Sequence, residues 1–221
     1  MRSSCFPRGA AALAALAAFA LAGCGAIPDK PAPVTLYDFG TAAVAPASPA
    51  AAATLAPLLL ASIDAQARLD GTQVLYRLGY ADANALRPYS MARWSVAPTQ
   101  LIGNRLRDAL SQRRVVLGPR EGGSVARVDG RMPMSLFLTL DEFCQYFDAP
   151  GTSVGLVRVH ATLMAGGNGG DRVLGQRSFS VREPAPSADA PGGVRALATA
   201  SDGLIAQIVQ WTDTLQAQAA R

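Results

Sequence analysis

The chain predicts an α+β fold: a mixed, largely antiparallel sheet with two main helices packed on one face, in a single domain. Three observations point there. Short segments of two-residue apolar alternation recur from Val34 to Val181, separated by Gly, Pro and Asp-Gly turn signals. Two longer segments, after Pro98 and after Gly193, carry apolar residues at helical spacing. The helical segments fall between and after groups of strands, the arrangement of a sheet with helices on one side.

Val34 to Phe39 is rich in strand formers and ends at Gly40. Thr41 to Thr54 is almost entirely Ala, Pro and Ser, has no periodic face to bury, and reads as a surface linker. Leu58 to Ala65 is a second strand. Asp70-Gly71 marks a turn, and Gln73 to Leu78 follows with Val74, Tyr76 and Leu78 on one face. Ala85 to Arg93 is a further short strand, limited by Pro88. Pro98 suits the first turn of a helix, where a missing N–H costs nothing. Leu101, Ile102, Leu106, Ala109 and Leu110 give that helix one apolar stripe. Val115 to Leu117 is a short strand closed by Gly118-Pro119.

From Arg131 to Val181 the pattern is an antiparallel meander. Leu136, Leu138 and Leu140 share a face, whereas Phe143 and Phe147 have the opposite parity. A bulge near Asp141-Glu142 restores one buried face, because one extra residue reverses the alternation. Pro150-Gly151 carries a type II turn signature. Val157, Val159, Ala161 and Leu163 alternate inward, Gly166 to Gly170 reads as a hairpin loop, and Val173 to Val181 returns. Pro184 to Gly193 reads as a second linker. The last helix is expected from about Val194 to Gln218, with Leu197, Ser201, Leu204, Ile208, Trp211 and Leu215 as its stripe. Gly203 inside it costs about 1 kcal/mol against alanine.

Ahead of this domain lies a secretory signal: Arg2 and Arg8, then an apolar run from Ala10 to Leu21, then small residues. The run is roughly a dozen residues, short of the ~20 that a membrane span needs. Leu21-Ala22-Gly23-Cys24 resembles the bacterial lipobox, which implies removal of residues 1–23 and lipid attachment at Cys24. The implied modification is a diacylglycerol on the sulfur and an acyl chain on the new amino terminus; no other cofactor is expected. Residues 24–33 then form a tether that contains Pro and suits a flexible lead, and 34–218 form the domain. In the enterobacterial sorting rule an aspartate after the cysteine retains a lipoprotein in the inner membrane. Gly25 stands there, which implies the outer membrane with the domain facing the periplasm.

Composition narrows the function. The formal charge is +4, two units lower once Arg2 and Arg8 leave, and only Lys30 is lysine. The arginines are scattered, so no concentrated basic face for nucleic acid is expected. With Cys5 lost and Cys24 lipidated, Cys144 is the last thiol and makes no internal disulfide. His160 is the single histidine, so no metal site is expected. A catalytic dyad needs Cys144 near His160, but a turn at Pro150 sets Cys144 opposite residues near 156. Asp141 and Glu142 are neighbours on a strand and point to opposite faces unless bulged. Gly166 to Gly170 lacks the Lys-Ser/Thr ending and following helix of a P-loop. No catalytic residue is assigned and no enzyme is expected. Arg93-Trp94 has two readings: an exposed partner interface, where Trp and Arg are enriched among hot spots, or a tryptophan seating the start of the first helix.

Several stretches, in order, resemble one family. They are Tyr37-Asp38-Phe39-Gly40; Leu69 to Arg77 with Arg87-Pro88-Tyr89; Arg93-Trp94 with Pro98; Leu140 to Phe143, Phe147-Asp148, Pro150-Gly151 and Arg158; and Arg195-Ala196-Leu197 to Trp211. The family is the ABC-type transport auxiliary lipoproteins, the group that includes the paraquat-inducible lipoprotein partner of MCE (mammalian cell entry) domain proteins. The resemblance implies a non-catalytic accessory of an MCE/ABC system moving lipid between the two membranes, acting by tethering and docking. The implied partners are an MCE-domain protein and, through the anchor, outer-membrane lipid, with a homo-oligomer left open. A periplasmic lipid carrier or receptor, and an envelope scaffold, are the alternative readings.

Overall fold

The computed structural model describes residues 33–40, 55–119, 132–166 and 170–220. The sheet is organised by its longest strand. β6 (Met134–Ala149) follows β1 (Thr35–Tyr37), β2 (Leu58–Ala65), β3 (Gln73–Leu78), β4 (Leu86–Trp94) and β5 (Val116–Leu117). β7 (Thr152–Ala165) and β8 (Arg172–Pro184) complete the eight strands among the described residues. β7 runs antiparallel along one side of β6 and β8 pairs antiparallel with β7. On the other side, β2 lies parallel to the first half of β6 and β3 parallel to its second half. β4 pairs antiparallel with β3, and β1 parallel with β4, at one edge; β5 pairs parallel with the start of β2.

The expected bulge is present. Leu140 pairs with Val159 and Glu142 with Arg158, so Asp141 has no ladder partner. The extra residue switches parity, and Leu136, Leu138, Leu140, Phe143 and Phe147 all become buried. At the turn after β6, Gly151 has φ 81°, the left-handed conformation that glycine adopts without a Cβ penalty.

Helix α1 (Pro98–Ser111) buries Ile102, Leu106 and Leu110 along the expected stripe. Helix α2 (Ala190–Ala219) is longer than its apolar periodicity suggested. The connection read as a linker from 184 to 193 shrinks accordingly, because β8 continues to Pro184 and α2 starts at Ala190. Asp189 caps the helix by accepting the Gly192 N–H at 2.8 Å. Ser187 donates to the same carboxylate, and these hydrogen bonds, Ser187 first, hold its pKa below the usual range. Gly192 and Gly193 look like linker residues but occupy the first turn. There a Cβ would meet Ser187 and Gln145 respectively.

α2 lies over β7 and β8 and also touches α1, which covers β2; both helices share one face of the sheet. Leu58, Leu136, Leu163, Leu197, Leu204 and Ile208 are at 0% exposure between the layers. At ~25 cal/mol per Å² of apolar surface, this burial is the main term holding the layers together. Buried hydroxyls on α2 are satisfied within the helix: Ser201 donates to the Leu197 carbonyl and Thr212 to that of Ile208.

Candidate functional site

Cys24, the expected attachment point, the linker at 41–54 and the centre of the 166–170 loop lie outside the described residues. The remaining candidates can be placed. Cys144 pairs with Leu156 across the β6–β7 ladder, and His160 pairs with Thr139. Leu156 and His160 are four positions apart on β7, about 13 Å at strand rise, beyond the reach of a nucleophile–base pair. His160 Nδ1 is 2.9 Å from Ser178 Oγ on the open face of the sheet. Cys144 is 1% exposed. Burial first, and then the Glu142 carboxylate, push its thiol from 9.0 to about 11, the opposite of an activated cysteine. Among the described residues no group of three His, Cys, Asp or Glu side chains could hold a metal ion.

Arg93-Trp94 does not form one exposed pair. Trp94 is 1% exposed, so the reading of it as a surface contact is corrected: its ring is part of the core. The parity of β4 turns it inward, where it packs on Phe39 (5.8 Å between centroids, edge-on) and Phe143 (5.5 Å). Phe39 is held in turn by Arg105 of α1, whose Nη2 donates to its carbonyl at 2.9 Å and whose Nε is 3.0 Å from Asp202 of α2. The Tyr37–Gly40 stretch thus closes one end of the core. Arg93 remains half-buried at the surface. Between Arg93 and Pro88 the β3–β4 register slips by several residues on β4. Arg93 Nη1 takes up the released carbonyls of Tyr89 (2.5 Å) and Ala92 (2.7 Å).

That slip also turns Tyr89 toward a polar network not legible in the sequence. Its hydroxyl donates to Gln145 Oε1 at 2.8 Å, and Gln145 Nε2 donates to Ser153 Oγ at 2.8 Å. Gln145 is at 0% exposure, beneath the first turn of α2. Its inward parity with Phe143 and Phe147 was the available signal. A second such group is Arg114, 3% exposed after α1, which donates to Gln216 and Asp213 of α2. Burial, with Arg113 nearby, lowers its pKa.

On the open face, Glu142 gathers Arg158 at 3.3 Å, Arg77 at 3.6 Å and Arg68 at 4.0 Å. Arg68 also donates to the carbonyl of the bulged Asp141 at 2.8 Å. Between the edge of β2 and α1 lies a cavity of about 390 Å³, lined by Leu60, Ile63, Thr99, Gln100, Asn104 and Arg107 among others. These features offer binding and docking surfaces of mixed polarity.

Residues 37–209 match the family model described as the ABC-type transport auxiliary lipoprotein component. No curated protein matches the chain at a significant level. Among solved structures, protein XCC0632 from Xanthomonas campestris, of family DUF330, is similar with a TM-score of 0.63 at 19% identity. The match covers 78% of this chain and 92% of that one. The crystal structure of an uncharacterised protein gives 0.59 at 15% identity, covering 82% and 99%. The hypothetical protein CT253 from Chlamydia trachomatis gives 0.50 at 7%, covering 72% and 96%. At these identities the structures share the fold.

Proposed function

Because the chain belongs to the ABC-type transport auxiliary lipoprotein family, we propose that it is anchored in the outer membrane and serves an MCE/ABC lipid transport system as a docking accessory. The observation that carries this reading is the lipobox Leu21–Cys24 directly ahead of a domain of that family. Cys24 takes the diacylglycerol and the N-acyl chain. Two buried chains already give stable anchoring, and a third strengthens it. Gly25 supports outer-membrane placement and a periplasmic domain. Among the described residues no helix is long and apolar enough to cross a membrane, so the lipid on Cys24 is the proposed attachment. The described domain then acts by position and contact. Its two layers are filled by side chains at 0–4% exposure, such as Leu136, Leu163, Leu204 and Ile205, which favours docking over carriage of an acyl chain between them.

The test is co-purification of the lipidated protein under mild detergent from its native envelope. An MCE-domain protein should be recovered with it. Cys24→Ser should shift the protein from the membrane fraction to the soluble periplasmic fraction and lose that partner. Absence of the partner from a properly lipidated preparation counts against the reading.

A further inference from the structure

The edge of the sheet where the tether joins the domain carries an apolar patch that the described residues leave exposed. β1 pairs with β4 in the register Thr35↔Ala92, Leu36↔Arg93 and Tyr37↔Trp94. Ala92 and Trp94 turn into the core, at 3% and 1% exposure. Side chains alternate across a strand, so Leu36 and Arg93 stand together on the opposite face. One step back along the same register sets Val34 beside Met91. Leu36 is 68% exposed, Val34 48% and Met91 39%. An edge strand of three residues spends its largest aliphatic side chain on solvent.

From this geometry we propose that Val34, Leu36, Met91 and Arg93 form the face that rests against the membrane surface, in contact with phospholipid. The occupant follows from the chain outside the described structure and where it ends. If Cys24 carries the lipid, as proposed above, only residues 24–33 separate the anchor from Val34. Ten residues span at most ~35 Å when fully extended. The start of β1 therefore stays within that distance of the anchor whatever the rest of the domain does. The chemistry suits that place. Leu36, Val34 and Met91 offer apolar surface to the acyl boundary, and Arg93 adds a positive charge at the level of the phosphates. Arg93 Nη1 is tied to the carbonyls of Tyr89 and Ala92, which fixes the guanidinium beside the apolar residues. The contact would orient the domain, so that the anchor sets its attitude as well as its distance from the bilayer.

The test uses the full-length lipidated protein with one new thiol, Leu36→Cys or, for comparison, Val173→Cys. Val173 is 56% exposed on β8, at the far edge of the sheet and ~24 Å from β1 by strand spacing. Cys144, buried and with its thiol near 11, does not compete for a maleimide fluorophore. The labelled proteins are placed in vesicles of phosphatidylethanolamine and phosphatidylglycerol carrying a spin-labelled headgroup. Quenching and a blue shift at position 36, with neither at 173, is the expected result. Vesicle-bound protein with equal quenching at both positions overturns the proposal and leaves anchoring intact. In a parallel unlabelled sample, copper-phenanthroline oxidation that joins two Leu36→Cys thiols in a disulfide, with no quenching of the labelled protein, assigns the patch to a second copy and also overturns it. Protein that does not float with vesicles refutes the lipid anchor and this proposal with it. As a second variant, Leu36→Asp should weaken vesicle binding of the unlipidated Cys24→Ser chain about tenfold, and an unchanged value overturns the proposal.

Discussion

Gly155 of β7 lies against the backbone of α2 at Ala196: a Cβ on Gly155 would sit 2.5 Å from the Ala196 carbonyl carbon and 2.6 Å from the Leu197 nitrogen. A helix backbone cannot rotate away as a side chain can. Gly155→Ala should therefore destabilise the domain by ~1–3 kcal/mol, the cost of overpacking. The measurement is the denaturant midpoint of the Cys24→Ser protein. An unchanged midpoint would show that α2 rides higher on the sheet.

Gly203 is the counter-case on the same helix. A Cβ there meets only Val181 Cγ1, at 4.0 Å. Gly203→Ala should raise stability by ~0.4–1 kcal/mol, through helix propensity and a less free unfolded chain. A thermal melt with lower Tm than the parent would contradict it.

The Tyr89–Gln145 bond predicts an alkaline transition. Burial first, then Tyr76 and Asp189, raise the Tyr89 phenol from 10.0 to about 12. As pH rises, the unfolded chain loses this proton before the folded one. The contribution is complete below pH 10.0 and is lost as pH climbs toward about 12. Tyr89→Phe should flatten that part of the stability–pH curve. At neutral pH it should cost ~1–3 kcal/mol, because Gln145 loses its donor in a buried site.

Arg114 predicts a large single-site effect. It is 3% exposed and donates to Asp213 and Gln216. Asp213→Ala leaves a buried cation without its counter-charge and should cost ~3–5 kcal/mol. The combined Arg114→Met and Asp213→Leu replacement removes both charges and should recover most of that loss. A double variant as unstable as Asp213→Ala alone would rule out this account.

Cys144 and His160 should be dispensable for function, since they sit apart and the thiol is protonated at neutral pH. Maleimide should label native Cys144 only on unfolding. Cys144→Ser and His160→Ala, each produced in folded form, should leave lipid distribution in the envelope unchanged when that is measured in cells. Loss of function from His160→Ala would reopen a chemical role.

Most of the sheet was legible because strands announce themselves locally. The two-residue period marked β3, the first half of β6 and β7, and a parity conflict between Leu140 and Phe143 predicted the bulge at Asp141. The misreadings came where a residue's reason lay far along the chain. Gly192 and Gly193 read as linker, yet they are small because Ser187 and Gln145 crowd the first turn of α2. Arg93-Trp94 allows both an exposed and a buried reading, and the pleat decides between them. Trp94 joins Phe39 and Phe143 inside, while Arg93 bonds the carbonyls freed by a slipped register.

By itself, then, the sequence determined the family and the α+β class, and it carries the Leu21–Cys24 pattern on which the proposed anchor rests. Each is written in local patterns, of composition, of spacing or of residues in order. Tertiary structure decided which residues meet: Tyr89 with Gln145, Arg114 with Asp213, Leu36 with Arg93 on an uncovered edge. The physical reason is that burial and pairing depend on strand register and helix placement, which combine contacts across tens of residues. No local window contains both partners of such a contact.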